Sequence, residues 1–268
     1  MKPERLSYYK DLVLVLLSKE FKVRYKSTLL GYAWSLVHPL LFAAVFFLIF
    51  KVLMRVKTEA PYPLFLITAL FPWQWFANSV NAANFFFLGN STLIKKVRFP
   101  RDFLVLSGVL SHLLHFVISI PVIVLFMLYY HYYPPAGYAP TGLPSVHWLW
   151  QIPLLVGVQF LITQGLALVV ATSNLFFRDL ERLTEILTML WFYLTPVIYP
   201  RTLLVESGHE WALFANPMAS LIACWRDVLL HGTMRGDMLA AAAGFALLSF
   251  VAGYALYRAK EWRFAEIV

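Results

Sequence analysis

Apolar and polar positions along this chain separate into long blocks rather than into the short periods of a water-exposed helix or strand. Stretches with little or no charge run over residues 27–54, 62–89, 103–131, 148–177, 183–200 and 238–258, divided by shorter polar or basic segments. A helix needs about 20 apolar residues to cross roughly 30 Å of hydrocarbon. The pattern therefore predicts an all-α bundle of six transmembrane helices, with residues 1–268 forming one transmembrane domain. Pro72, Pro121 and Pro153 fall inside these stretches. Proline would break a helix in water, but neighbouring helices satisfy the freed backbone groups in a membrane bundle. Several stretches exceed the minimum length, which predicts tilt or partial re-entry.

Three segments do not fit a simple span. In residues 1–26, Leu12, Val13, Val15, Leu16 and Leu17 mix with Lys10, Lys19, Lys22, Arg24 and Lys26. This reads as a basic amphipathic helix on the inner membrane face; an ordinary basic flank is the alternative. Its apolar core is too short and too interrupted by charge for a cleavable signal, so the first span is expected to act as the targeting signal. Residues 90–102 read as a short cytoplasmic helix that Asn90 or Ser91 caps and Pro100 ends, or as a plain basic loop. In residues 201–237, Asn216-Pro217 predicts a helix start and Gly232 a stop. Neither half of that region is long enough to span, so two short helices dipping into the outer leaflet are expected, or else an external cap. The proline- and tyrosine-rich loop 131–147 reads as a surface loop.

Charge sets the orientation. Sixteen of the 22 Lys and Arg fall in residues 1–33, 90–102, 178–182 and 258–263, and the other six in the alternate segments. Cytoplasmic loops carry the excess of Lys and Arg, so both termini are expected in the cytoplasm. The net charge of +8 then marks inner loops, not a nucleic-acid surface, which needs a soluble basic face. Composition agrees: 60% of residues are apolar and 13% charged, against about 45–50% and about 25% in a soluble domain.

Chemistry is sparse. Cys224 is the single cysteine, which excludes an internal disulfide and disfavours a thiolate metal site. No phosphate-cradling G-x-x-x-x-G-K-[ST] segment occurs. Glu185 is the one acid within a span and reads as a partner of Arg182 or Arg178, not as part of a proton relay. His112 and His115 are three apart with no third ligand near, so packing is expected and no metal is assigned. Phe42, Phe46 and Phe50 repeat every four residues, and Trp73, Trp75 and Tyr193 stand in other aromatic clusters. These read as lipid-facing bulk or as a wall of flat faces for a sliding sugar chain. Gly244 and Gly253 are expected to permit close helix packing.

Four local patterns then carry a resemblance. Arg24, Tyr25 and Lys26 precede Leu30, Gly31, Trp34 and Pro39, an L-G-x-x-W-x-x-x-x-P entry to the first span. The segment 95–100 ends in Phe-Pro. Residues 174–180 read N-L-F-F-R-D-L, and residues 193–200 read Y-L-T-P-V-I-Y-P. In order and spacing the whole chain resembles the transmembrane subunits of ATP-binding-cassette exporters for bacterial surface polysaccharides, the O-antigen and teichoic-acid permeases.

The resemblance implies a homodimer in the bacterial plasma membrane that binds two ATPase subunits and moves a polyprenyl-diphosphate-linked polysaccharide. The chain itself would bind no cofactor, with ATP and Mg held by the partner. Lys95, Lys96, Arg98, Phe99 and Arg101 would form the main coupling element, and Arg178, Asp179 and Glu181 a smaller one. Lys22, Arg24 and Lys26 would meet the lipid diphosphate. Trp34, Phe42, Phe46, Phe50, Trp73, Trp75 and Tyr193 would line a channel at the dimer interface. Trp211, Phe214, Asn216, Pro217 and Trp225 would belong to the outer gate. An exporter of a drug or small lipid with the same architecture is the alternative. A secondary transporter or an intramembrane transferase would need coupling or catalytic acids that the spans lack.

Overall fold

A computed structural model describes residues 3–25, 34–97 and 99–267, and these are helical almost throughout, with no strand among them. The helices are α1 (Pro3–Tyr25), α2 (Trp34–Phe46), α3 (Tyr62–Phe86), α4 (Ser91–Lys96), α5 (Asp102–Tyr132), α6 (Trp148–Phe176), α7 (Leu180–Leu194), α8 (Thr202–Glu206), α9 (Trp211–Ala215), α10 (Pro217–His231), α11 (Gly236–Lys260) and α12 (Phe264–Ile267). A wider π-helical turn, Phe47–Leu53, continues α2.

Three described helices are long and apolar enough to cross a membrane: Asp102–Tyr132, Trp148–Phe176 and Gly236–Arg263. Helix α3 has 25 residues and no charge, but Gln74, Asn78, Asn81 and Asn84 lower its hydropathy. It is the hub of the bundle and packs on α2, α5, α6, α7 and α10. The fifth apolar stretch is helical only through Leu194; residues 195–200 turn instead.

Helices α6 and α11 share the most extensive contact. A Cβ on Gly253 would sit 2.2 Å from the Gly165 carbonyl oxygen, and one on Gly165 would sit 2.4 Å from the Ser249 carbonyl carbon. Backbone therefore meets backbone at this crossing. Gly244 has nothing within 4 Å of a built Cβ, so the close packing expected there belongs to Gly165 and Gly253. Polar links join the other helices. Gln159 on α6 donates to the Pro72 carbonyl of α3 (2.7 Å) and accepts from the Trp225 indole of α10 (2.6 Å).

The basic segments converge on one end of the bundle. Tyr9 of α1 stacks on Phe103 at 5.2 Å, and the Lys19 ammonium donates to the Asn90 side chain. Arg101 donates to the Glu261 carbonyl (2.6 Å). Phe264 packs on Phe87 at 4.9 Å, and the Arg263 guanidinium lies 5.3 Å from the Phe176 ring. Asn90 does not cap α4 with its side chain; its amide donates to the Phe86 carbonyl (2.8 Å). Helix α4 ends at Lys96, before Val97 turns extended, and so stops short of Pro100.

Three helices, α8, α9 and α10, lie between α7 and α11 where two were expected. Asn216 accepts from the backbone N–H of Met218 (3.0 Å) and Ala219 (3.2 Å), and Gly232 closes α10 at φ 65°. Both expected helix boundaries are present.

Candidate functional site

Helices α2, α3 and α7 lie side by side and leave an open groove of about 350 Å³ between them. Leu70, Trp73, Gln74, Ala77, Asn78 and Asn81 form its floor. Their spacing places all six on one face of α3. Phe42 and Phe46 make one wall; Glu185, Thr188, Met189, Phe192 and Tyr193 make the other. The rings touch in series: Phe42 on Phe46 at 5.9 Å, Phe46 on Phe192 at 5.9 Å, and Phe192 on Trp73 at 5.6 Å. Thr188 donates to the Asn81 side-chain oxygen at 3.0 Å. A strip of amide and hydroxyl groups thus runs beside a strip of aromatic faces.

Of the seven aromatics expected along a channel, Phe42, Phe46, Trp73 and Tyr193 meet in this groove. Phe50 lies one turn beyond and stacks on Tyr62 at 6.3 Å. Trp34 stands exposed at the start of α2. Trp75 is turned away into the core, 2% exposed and stacked on Phe116 at 5.5 Å. Two residues along an α-helix rotate the side chain by about 200°, so Trp73 and Trp75 cannot share a face. Sequence reasoning missed Gln74, Asn78, Asn81 and Thr188. The 74, 78, 81 spacing of amides within an uncharged span was the available signal. Glu185 pairs with Arg182 at 3.7 Å, as expected, and also lines the groove.

At the end of the bundle where the basic segments gather, Lys95 and Lys96 stand exposed on the last turn of α4. They line a cleft of about 540 Å³ with Phe99, Arg101, Tyr257 and Trp262. Arg178 and Asp179 are exposed, and Glu181 is partly exposed, just after Phe176. Both proposed coupling segments therefore sit at one end, joined by the C-terminal segment. Lys22 is exposed on α1, whose last turn holds Arg24. Lys26 and Arg98 lie outside the described residues.

At the opposite end, Trp211 is exposed and Phe214 partly buried. Asn216 accepts from the Trp191 indole at 2.8 Å and donates to the Thr195 hydroxyl at 3.0 Å, tying α10 to α7. Pro217 opens α10. Trp225 is fully buried between Gln159 and Phe116, so it is a core residue of the bundle. Arg226 is buried too; it donates to the carbonyls of Pro196 and Val197 at 3.0 Å each and lies 3.7 Å from the Phe65 ring centre. Arg201 and Asp227 form an ion pair at 2.6 Å.

His112 and His115 have ring centres 6.3 Å apart. Among the described residues no three His, Cys, Asp or Glu side chains gather as metal ligands would.

The chain is 42% identical over 264 residues to the O-antigen export system permease protein RfbA of Klebsiella pneumoniae, covering 98% of this chain and 97% of that protein. It is 31% identical to the Myxococcus xanthus protein of the same name over 268 residues, again 98% and 97%. It is 21% identical to the polysialic acid transport protein KpsM of Escherichia coli, over 93% of each chain. A family model described as ABC-2 type transporter matches residues 11–230, and by these likenesses the chain belongs to the ABC-2 type transporter family.

Proposed function

We propose that this chain is the permease subunit of an ATP-driven exporter that carries a polyprenyl-diphosphate-linked polysaccharide out of the cytoplasm. The groove between α2, α3 and α7 carries the reading. A polysaccharide has apolar ring faces and many hydroxyls, and the groove offers flat aromatic faces beside amides that both donate and accept. Many weak contacts along an open strip suit a moving chain, which must leave each position as easily as it enters. A drug or small lipid would call for an enclosed apolar pocket, and the groove is open along its length.

In this reading two copies of the chain pair across the groove and enclose the path between them. The exposed apolar side chains on α7 (Leu183, Ile186, Leu187, Leu190), on α2 (Leu41, Val45) and on the turn that continues it (Leu48) flank the groove and support that pairing. Six spans cross the bacterial inner membrane with both termini in the cytoplasm, in keeping with the gathering of basic segments at one end. Helix α10, 15 residues within the gate region, stays in the outer leaflet. ATP and Mg belong to a separate ATPase, two copies of which dock on the inner end. Lys95, Lys96, Arg98, Phe99 and Arg101 form the main contact and Arg178, Asp179 and Glu181 the second. Lys22, Arg24 and Lys26 receive the lipid diphosphate. Trp211, Phe214, Asn216 and Pro217 serve the outer gate. Movement of the inner loops on ATP binding opens the path, and its closure prevents ion leak.

The test is co-purification of the chain with its ATPase, followed by ATP turnover in lipid with and without a polyprenyl-diphosphate glycan. Glycan-stimulated turnover is expected, and Lys95→Glu with Lys96→Glu is expected to abolish the stimulation while both subunits stay folded. A stable chain that binds no ATPase refutes the reading.

A further inference from the structure

The groove is as informative in what charge it holds as in its shape. Among the described residues that line it, none is Lys, Arg or His, and Glu185 is the one ionisable acid. Gln74, Asn78 and Asn81 repeat along one face of α3, so the polar strip is made of neutral amides. The cation beside it, Arg182, pairs with Glu185 at 3.7 Å and is 84% exposed. Even with that pair counted whole, the mouth of the groove carries no net positive charge.

Resting on the proposed transport of a glycan through this groove, we propose that the groove selects an uncharged polysaccharide. Neutral sugar repeats pass, and repeats that carry carboxylates or phosphates are held out. A hydroxyl leaving water finds an amide that donates or accepts, and a sugar ring finds an aromatic face. A carboxylate or phosphate leaving water finds no cation among the described residues of the groove, and an unpaired charge moved from water to a drier site is strongly penalised. Glu185 adds like-charge repulsion. The penalty recurs with every charged repeat, whereas the diphosphate at the lipid end passes once per chain. Lys22, Lys95 and Lys96 stand exposed at the inner end, where that single anionic group enters.

The experiment uses the complex of this chain with its ATPase in lipid nanodiscs. Two polyprenyl-diphosphate glycans of equal length are compared, one of neutral hexoses only and one in which alternate sugars are hexuronic acids. The wild type is expected to be stimulated by the neutral glycan on the order of tenfold more than by the acidic one. Glu185→Gln is expected to narrow that ratio and Glu185→Lys to narrow it further. Glu185 is half exposed with its side chain against Arg182, so both variants should fold, and co-elution with the ATPase checks that they do. Equal stimulation of the wild type by the two glycans overturns the selection while leaving glycan transport standing. A ratio unmoved by Glu185→Lys refutes the placing of the selection in this groove. Stimulation by neither glycan overturns the transport reading and this inference with it.

Discussion

Gly253→Ala puts a methyl group where the structure has a carbonyl. The new Cβ would lie 2.2 Å from the Gly165 oxygen, 2.9 Å from its carbonyl carbon and 3.1 Å from its Cα. An ordinary carbon-to-oxygen contact is about 3.3–3.6 Å, so α6 and α11 must part by roughly 1 Å at the crossing. No side-chain rotamer can relieve a backbone clash, which places the cost near the top of the ~1–3 kcal/mol usual for overpacking. Alanine returns up to about 1 kcal/mol as a better helix former, leaving about 2 kcal/mol of net loss. That lowers the melting temperature by roughly 4–8 °C in a chain of this size. Gly165→Ala meets the Ser249 carbonyl at 2.4 Å and should cost as much. The double variant should lose less than the sum, because helices already parted admit the second methyl. Gly244→Ala has nothing within 4 Å and should hold or raise the melting temperature. Cys224 supplies the assay: it is the single cysteine and is buried, so a thiol-reactive dye reports unfolding. A Gly253→Ala protein that melts no lower than Gly244→Ala refutes backbone contact at this crossing.

Three further outcomes follow from the same packing. Gln159→Leu leaves the buried Trp225 indole without its 2.6 Å partner and should cost about 1–3 kcal/mol, read by the same dye; Trp225→Phe added to it should recover part of the loss. Asn216→Ala removes the cap of α10 and the partner of Trp191, worth about 1 kcal/mol for the cap and about 1–3 kcal/mol for the indole. Asn216→Asp keeps both acceptor roles, and its melting temperature should fall by less. The His231–Glu59 pair at 3.6 Å predicts a pH dependence. The Glu59 carboxylate holds His231 above its ordinary value, and His231 holds Glu59 below its own. The His231 contribution is complete below about pH 6.5 and is lost as pH rises through its raised value. The Glu59 contribution is complete above about pH 4.5 and is lost as pH falls through its lowered value. The stability gap between wild type and Glu59→Gln should therefore be widest between about pH 4.5 and 6.5 and shrink toward pH 9. Both groups are partly exposed, so the gap is a few tenths of a kcal/mol; a gap that grows with alkaline pH refutes the pairing.

Much of the architecture was legible because the strongest signals are long. Uncharged blocks and the distribution of Lys and Arg survive without knowledge of packing, and the basic segments do share one end. The start and stop of α10 were legible because Asn216, Pro217 and Gly232 act within one turn of themselves. The assignment of side chains to surfaces was legible only in part. Aromatic clustering alone grouped Trp73 with Trp75, and that grouping does not survive once helix rotation is known; Trp225, assigned to the outer gate by resemblance, is buried in the core. Gly253 was readable as a small residue, but its partner Gly165 lies 88 positions away on another helix, a pairing that only the fold makes. The amide strip on α3 was overlooked because three neutral polar residues barely disturb an apolar block.

The shortness of α7 makes the lipid itself part of the device. Fifteen residues rise about 22 Å, against roughly 30 Å of hydrocarbon. Beyond Leu194 the chain turns, with the carbonyls of Pro196, Val197 and Ile198 held by Arg226 and Tyr62. Crossing the membrane as proposed, the flank that carries the groove would be several ångströms too short for an average bilayer. Membranes relieve such mismatch by thinning locally, at a fraction of a kcal/mol per ångström. Acyl-chain length then becomes a regulator: bilayers of short-chain lipid should favour this flank, and thick ones should strain it and slow transport.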